Sequence, residues 1–481
     1  MKNRQKIFGL LGTEYNKKRL MHDFLFLLTA IIMIISLFNV RDVKRETFPY
    51  DPEKAEWQSQ YVKIFDAFKK GQVHLDMEPS LELLELENPY DPKERDEKHA
   101  FYHWDHALYE GKYYSYFGIA PLITTYVPVY LITGELPNDF LVTLILAIYA
   151  VAFMALAYRE VVLRFTKKVN LWLYLLGFCA LVSVSGVYYG VYIGDVYNVQ
   201  MISAIGCSMA FVFFAFRAMR TKGVVPRCVL LVFAALALGL TVMSRPSVAL
   251  MCLAVVPLFI EFLVKSKKAE WKKTLATVGS FVVPLAICAG FVMWYNAARF
   301  SSPFDFGEKY QLTVNDISQN TFEINFIFSS IYSYFFHPFW VSKEAPYFIM
   351  NGTQTLFPGA RYVYGEHYVG AFAFILPALT MLYSRIMRSD KEQGKRDITR
   401  NAFAICTVAL SLIIAYVDFC KAGTNMRYMF DIIPMLSILG AVTAMEFCAR
   451  TRGWKKYVCL TLCTLAFLGA LCTGNILVQN L

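Results

Sequence analysis

The acid with the most suggestive neighbours is Asp105, which stands in His103-Trp104-Asp105-His106. A carboxylate held there can take a proton from an attacking hydroxyl or hold a divalent cation; as a solvated loop acid it would do neither. Asp195, in Gly194-Asp195-Val196-Tyr197-Asn198, is the second acid considered as its catalytic partner. Three arginines offer the complementary chemistry. Arg245 in Ser244-Arg245-Pro246, Arg299 ahead of Phe300-Ser301-Ser302-Pro303 and Arg427 in Asn425-Met426-Arg427-Tyr428 each carry a planar fork of donors suited to phosphate oxygens. Arg427 and Asp431 are four residues apart on one helical run and could pair with each other. His103, His106, Lys112, Tyr114, Asp305, Lys343 and Arg361 complete the polar set expected to touch a substrate. The tyrosines around Tyr113-Tyr114-Ser115-Tyr116 also fit a plainer role in an interfacial belt, with rings in lipid and hydroxyls in water.

The elements that position these residues follow from composition. Of 481 residues, 57% are hydrophobic, 17% charged and 16% aromatic, whereas a soluble chain is about 45–50% apolar and about 25% charged. That excludes an ordinary soluble enzyme, a disordered chain and a small secreted scaffold, and predicts an all-α integral membrane protein. The eleven cysteines lie mostly inside apolar runs, with no CxxC pair and no zinc-like spacing, so no disulfide framework and no metal ligand set is expected from them.

Apolar runs of spanning length lie at about 24–40, 140–157, 171–189, 196–216, 274–295, 369–384, 402–417, 428–445 and 457–474. The stretch 228–264 is basic at both ends and holds Arg245 near its centre. It is expected to form two short helices meeting at Ser244-Arg245-Pro246, which makes eleven spans. Six basic clusters, at 2–19, 159–168, 217–227, 265–273, 385–400 and 450–456, hold 29 of the 47 lysines and arginines and then fall on one side. By the positive-inside rule that side is cytoplasmic, with the N-terminus inside and the C-terminus outside. The first span lacks a cleavage site and is expected to be retained as an anchor.

The expected organisation is a basic cytoplasmic N-terminus (1–23), a first span (24–40), an extracytoplasmic loop (41–138), a transmembrane bundle (139–295), a second extracytoplasmic segment (296–368) and C-terminal spans (369–481). Residues 117–133, interrupted by Pro121 and Pro128, are assigned to interfacial helices, with a re-entrant hairpin as the alternative. Asp51-Pro52 followed by Trp57, Tyr61, Ile64, Phe65 and Phe68 predicts a helix capped by Asp51 and ended by Gly71, resting either on the membrane surface or on its own domain. Glu110-Gly111 predicts a turn. The middles of the spans are almost free of the ionisable groups that coupled carriers use, and no P-loop or Rossmann glycine pattern is present. A lipid-linked donor would therefore supply the chemical potential.

This plan resembles the GT-C superfamily of polyprenyl-phosphate-dependent glycosyltransferases, which includes protein O-mannosyltransferases and aminoarabinose transferases. The shared pattern is one span, a large outer loop with an acid ahead of proline-interrupted interfacial helices, and then many spans. The strings Leu-Glu-Asn-Pro-Tyr-Asp-Pro (86–92), Tyr-Glu-Gly-Lys-Tyr-Tyr-Ser-Tyr-Phe-Gly (109–118), Ser-Arg-Pro-Ser (244–247), Ser-Pro-Phe-Asp-Phe-Gly-Glu-Lys-Tyr-Gln-Leu (302–312) and Arg-Tyr-Met-Phe-Asp-Ile-Ile-Pro (427–434) resemble a bacterial family of GT-C-like membrane proteins. The resemblance implies sugar transfer from a polyprenyl-phosphate donor to an acceptor glycan, lipid or protein on the outer face of a bacterial cell membrane. In it Asp105 serves as base or metal ligand, and Arg245, Arg299 and Arg427 receive the donor phosphate. The first loop lacks an Asp-x-Asp pair, which leaves a divalent cation at Asp105 an open expectation. The rival expectations are a flippase or exporter of a lipid-linked saccharide and a non-catalytic envelope assembly protein. No nucleic acid partner is implied.

Overall fold

The computed structural model describes residues 17–40, 59–166, 168–266, 270–344, 347–350, 368–392, 394 and 397–479. The described chain is mostly helical, with two short two-stranded hairpins and irregular connections. Among the described residues ten helices are long and apolar enough to cross a membrane. They run over Met21–Asn39, Asp139–Phe165, Leu171–Ile193, Val196–Arg220, Val224–Ser244, Pro246–Lys265, Trp271–Phe300, Ile398–Ala422, Ile433–Arg450 and Trp454–Gln479. Leu275, Val283, Ile287 and Trp294 on the Trp271–Phe300 helix point outward and exposed. In water that apolar stripe would be unfavourable; in a bilayer it is the lipid face. The chain is a multi-pass membrane protein.

The apolar run at 369–384 is not the single helix expected. It folds as two 3₁₀ helices, Ala371–Phe374 and Pro377–Leu382, followed by the Tyr383–Glu392 α-helix. This broken piece still packs along the Ile433–Arg450 helix through residues 377–392. At one end the Gly370 N–H donates to the His337 carbonyl (2.8 Å), and at the other Asp390 pairs with Arg400 and Arg450. Midway, the Leu376 carbonyl oxygen lies 2.0 Å from where a Cβ on Gly440 would stand, so the two backbones touch only because residue 440 is glycine.

Ion pairs gather five of the basic clusters at one end of the bundle. Buried Glu160 meets Arg159, Arg217 and Arg220, and Arg159 reaches Asp23 (3.1 Å). Arg164 joins Glu261 (2.7 Å) and Asp397 (3.5 Å). Arg400 and Arg450 share Asp390 and Glu446. The stretch 224–265 starts and finishes at this end and turns back at Ser244-Arg245-Pro246, as its two basic flanks require. Pro246 occupies the first turn of the second helix and holds Arg245 extended (φ −148°, ψ 112°) between the two.

At the opposite end the two large outer segments are stitched together. Residues 60–69 form a helix whose N-cap is Ser59, its hydroxyl accepting from the Tyr61 N–H; the expected cap Asp51, with Trp57, lies outside the described residues. Tyr61, Ile64 and Phe65 are buried. Tyr61 stacks on Tyr126 (5.1 Å) and Phe65 meets Tyr130 edge-on (4.8 Å), so these members of the aromatic stripe pack on their own domain. Its partner, Leu122–Thr133, is apolar but too short to cross. Ala107–Tyr109 and Lys112–Tyr114 pair as a hairpin through Glu110 and Gly111, both at positive φ. Tyr113 and Tyr114 are buried in it, so the expected tyrosine belt is core instead. Gln311 extends this hairpin at Ala107, and buried Arg95 donates to the carbonyls of Pro89 (2.7 Å) and Thr313.

Candidate functional site

Between these outer segments and the helix ends lies a cavity of about 750 Å³. It is bounded by the 104–119 loop, the break at 244–247, the end of the Trp271–Phe300 helix, residues 306–317 and residues 417–428.

Asp105 lines this cavity in the left-handed region (φ 54°), which a short polar side chain tolerates better than most. Its N–H donates to the Leu312 carbonyl (3.0 Å), its carbonyl accepts from Gln60 Nε2 (2.7 Å), and its carboxylate accepts from the Tyr197 hydroxyl. The residue is thus held by groups from three separate parts of the chain, the Tyr197 hydroxyl acting on its side chain. Beside it, His106 Nδ1–H donates to the Trp104 carbonyl (2.7 Å), leaving Nε2 to accept from Lys63 Nζ at 3.1 Å. Burial, helped by the Lys63 charge, pushes His106 down to about 3. Burial also lowers Lys63 to about 8.

Arg427 lies over the Tyr197 ring at 4.1 Å. The Asn425 side-chain oxygen accepts from the Arg427 N–H (2.9 Å) and from Nε (3.3 Å). Among the described residues no carboxylate pairs with Arg427. The partner suggested by sequence spacing, Asp431, belongs instead to Arg245: Nη2 reaches it at 3.0 Å, and Ser247 Oγ donates to the same oxygen at 2.6 Å. Arg245 Nη1 also donates to the Arg427 carbonyl (3.5 Å). This links the helix break to the residues leading into the Ile433–Arg450 helix. Gly118 is pressed against the break, where a Cβ would stand 2.1 Å from the Met243 carbonyl oxygen.

Arg299 lines the cavity but is fully engaged. Its guanidinium donates to the Ser115 carbonyl (2.6 Å), Asn296 Oδ1 (2.8 Å) and the Tyr295 carbonyl (3.4 Å) and lies over the Tyr295 ring. It ties the helix end to the outer loop. Asp195 is not among the cavity-lining residues; it is the N-cap of the Val196–Arg220 helix, accepting from the Asn198 N–H (2.9 Å) and Nδ2 (2.7 Å).

The remaining expected ligands are not brought to the cavity lining. His103 packs on Phe101 and Tyr113, His106 is committed to Lys63 and Trp104, and Tyr114 packs on Phe300. Lys112 and Lys343 are exposed. Asp305 is held by Lys309 (2.9 Å), the Gly307 N–H and Tyr310, contacts that keep its carboxyl below the usual range although partial burial opposes them. Arg361 lies outside the described residues.

Sequence reasoning missed Asp418, and it noted Glu308 and Lys421 near the membrane boundary without assigning them to the site. Asp418 lines the cavity from the end of the Ile398–Ala422 helix, nine-tenths buried, and its Oδ2 has no hydrogen-bond partner in the described structure. Glu308 lines the cavity too. Lys421 Nζ donates to the Asn320 carbonyl (3.0 Å). Among the described residues the cavity's acids do not converge into a three-ligand cation site.

No family model and no curated protein matches the sequence. Two solved structures are similar along most of its length. ArnT from Cupriavidus metallidurans bound to undecaprenyl phosphate is 12% identical over 91% of this chain and 62% of that one, with a TM-score of 0.40. The apo oligosaccharyltransferase of Archaeoglobus fulgidus is 12% identical over 94% of this chain and 55% of that one, with a TM-score of 0.49. This chain therefore spans less than two thirds of either.

Proposed function

We propose that the protein transfers a sugar from a polyprenyl-phosphate-linked donor to an acceptor hydroxyl, on the extracytoplasmic face of a bacterial cell membrane. The N-terminus is cytoplasmic and the C-terminus extracytoplasmic in this reading. One observation carries it: Tyr197 holds the Asp105 carboxylate through its hydroxyl while Arg427 lies on its ring. A proton acceptor and a guanidinium with no carboxylate ion pair among the described residues thus meet in one cavity from remote parts of the chain.

The donor phosphate faces Arg427, with Arg245 alongside, and the prenyl chain follows Leu250, Phe291 and Val292 on the apolar wall. As the acceptor oxygen attacks the anomeric carbon, Asp105 takes its proton and the bond from that carbon to the phosphate oxygen breaks with inversion. The electron pair leaves on the phosphate, where the arginines stabilise the growing charge. Asp195 and Arg299 act here as positioning residues.

The test uses undecaprenyl phosphate as the probe, titrated into the protein in lipid nanodiscs beside uncharged undecaprenol. Saturable binding of the phosphate, weakened by Arg427→Ala, is expected. Equal binding of both lipids would remove the reading.

A further inference from the structure

Far from this cavity, where the Ile433–Arg450 and Trp454–Gln479 helices meet at the ion-paired end, three cysteines converge. Cys448 Sγ lies 3.0 Å from Cys459 Sγ and 3.4 Å from Cys463 Sγ, and the three sulfurs fall within 4.8 Å of one another. All three are buried, at 6%, 7% and 8% exposure. Cys459 and Cys463 stand one turn apart on the same helix face, and Cys448 meets them from the last turn of the preceding helix. Packing alone would account for one thiol against apolar neighbours. It does not account for three sulfurs pointed at a common centre.

We propose that Cys448, Cys459 and Cys463 form a three-thiolate site for a soft, thiophilic cation of low coordination number, with Cu(I) the matching ion. An all-sulfur donor set selects soft cations. With metal–sulfur bonds of about 2.3 Å, three ligands around one ion sit roughly 4 Å apart, which small rotamer shifts would reach from the observed spacing. Structural zinc sites close with four ligands, and among the described residues no fourth thiol, imidazole or carboxylate joins this group. Binding turns each ligating thiol into a thiolate, releases one proton per sulfur and leaves the oxidation state of the metal unchanged. The bound ion would clasp the last helix, which otherwise buries few side chains, to the helix before it.

The test titrates the full-length protein, reduced and kept anaerobic, with Cu(I) buffered by a chromogenic chelator. One Cu(I) per chain is expected, with a rise in melting temperature. Replacing a metal's indirect supports costs 10–100-fold, so Cys448→Ser, Cys459→Ser and Cys463→Ser should each weaken binding by at least about tenfold. Cys406→Ser and Cys472→Ser should leave it unchanged. Competitive binding that survives in all three cluster variants overturns the proposal. So does a Cys448–Cys459 disulfide found by mass spectrometry in protein isolated under reducing conditions.

Discussion

The Tyr197 hydroxyl donates to the Asp105 carboxylate, and the ring of that tyrosine carries the Arg427 guanidinium on its face. One side chain therefore orients the proposed base and the proposed phosphate ligand together. Asp105→Asn should reduce sugar transfer by about 10²–10⁴-fold, the usual contribution of a general base, without changing undecaprenyl phosphate binding. Tyr197→Phe keeps the ring under Arg427 and removes only the hydroxyl, so its rate loss should be smaller. A Tyr197→Phe enzyme that loses phosphate binding but keeps its rate would contradict this division of labour.

The Arg245–Asp431 pair makes a different prediction. Asp431 has a fully buried side chain and Arg245 a largely buried one, so removing one partner strands a buried charge, at about 3–5 kcal/mol. Arg245→Ala and Asp431→Ala should each lower the unfolding midpoint sharply. The double variant Arg245→Met/Asp431→Asn should regain most of that stability while binding undecaprenyl phosphate less tightly. If the double variant binds like the parent, Arg245 serves the helix break and not the ligand.

This pair also marks what could be read from sequence and what could not. Local chemistry was legible: the proline that breaks 224–265, the Glu110-Gly111 turn and the basic ends of the helices follow from neighbouring residues. Asp195 was legible as well, since an Asp with Asn three residues on, ahead of an apolar run, is an N-cap pattern; its place near a membrane boundary drew attention toward chemistry instead. Contacts across the fold were hidden. Spacing offered Asp431 to Arg427, four residues away, whereas it belongs to Arg245, more than 180 residues earlier. The broken helix at 369–384 depends on Gly440 admitting the Leu376 carbonyl, and no pattern within the apolar run announces that contact.

Acid should loosen the loop that carries Asp105. His106 is held near 3 in the folded protein against 6.5 for a free imidazole. Between those values the unfolded chain binds a proton that the folded one refuses, so stability falls as pH drops through 6.5 and continues to fall toward 3. The slope from this one group can reach about 1.4 kcal/mol per pH unit. Lys63 acts in the same sense at the alkaline end: its folded value of about 8 lies below the ordinary 10.5, so stability rises between them. His106→Gln should flatten the acid limb of a melting-temperature profile. An unchanged profile would mean that His106 is not held neutral by its burial as described.

The final prediction concerns Asp418, a cavity-lining residue whose buried Oδ2 has no hydrogen-bond partner in the described structure. A buried polar atom left unpaired costs about 1–3 kcal/mol, and such costs persist where function needs the group. Asp418→Ala should therefore leave the unfolding midpoint unchanged or raise it, since it removes the unpaired carboxyl and leaves only a small void next to an existing cavity. The same substitution should lower sugar transfer, because the carboxylate that would bind sugar hydroxyls is gone. The two measurements pull apart the alternatives. A variant that melts earlier identifies Asp418 as part of the scaffold, supported by contacts with its neighbours on the 417–428 wall. A variant that melts later but transfers at the parent rate leaves the acid with no part in the reaction. Only a stabilised and slowed protein fits a ligand-facing carboxylate.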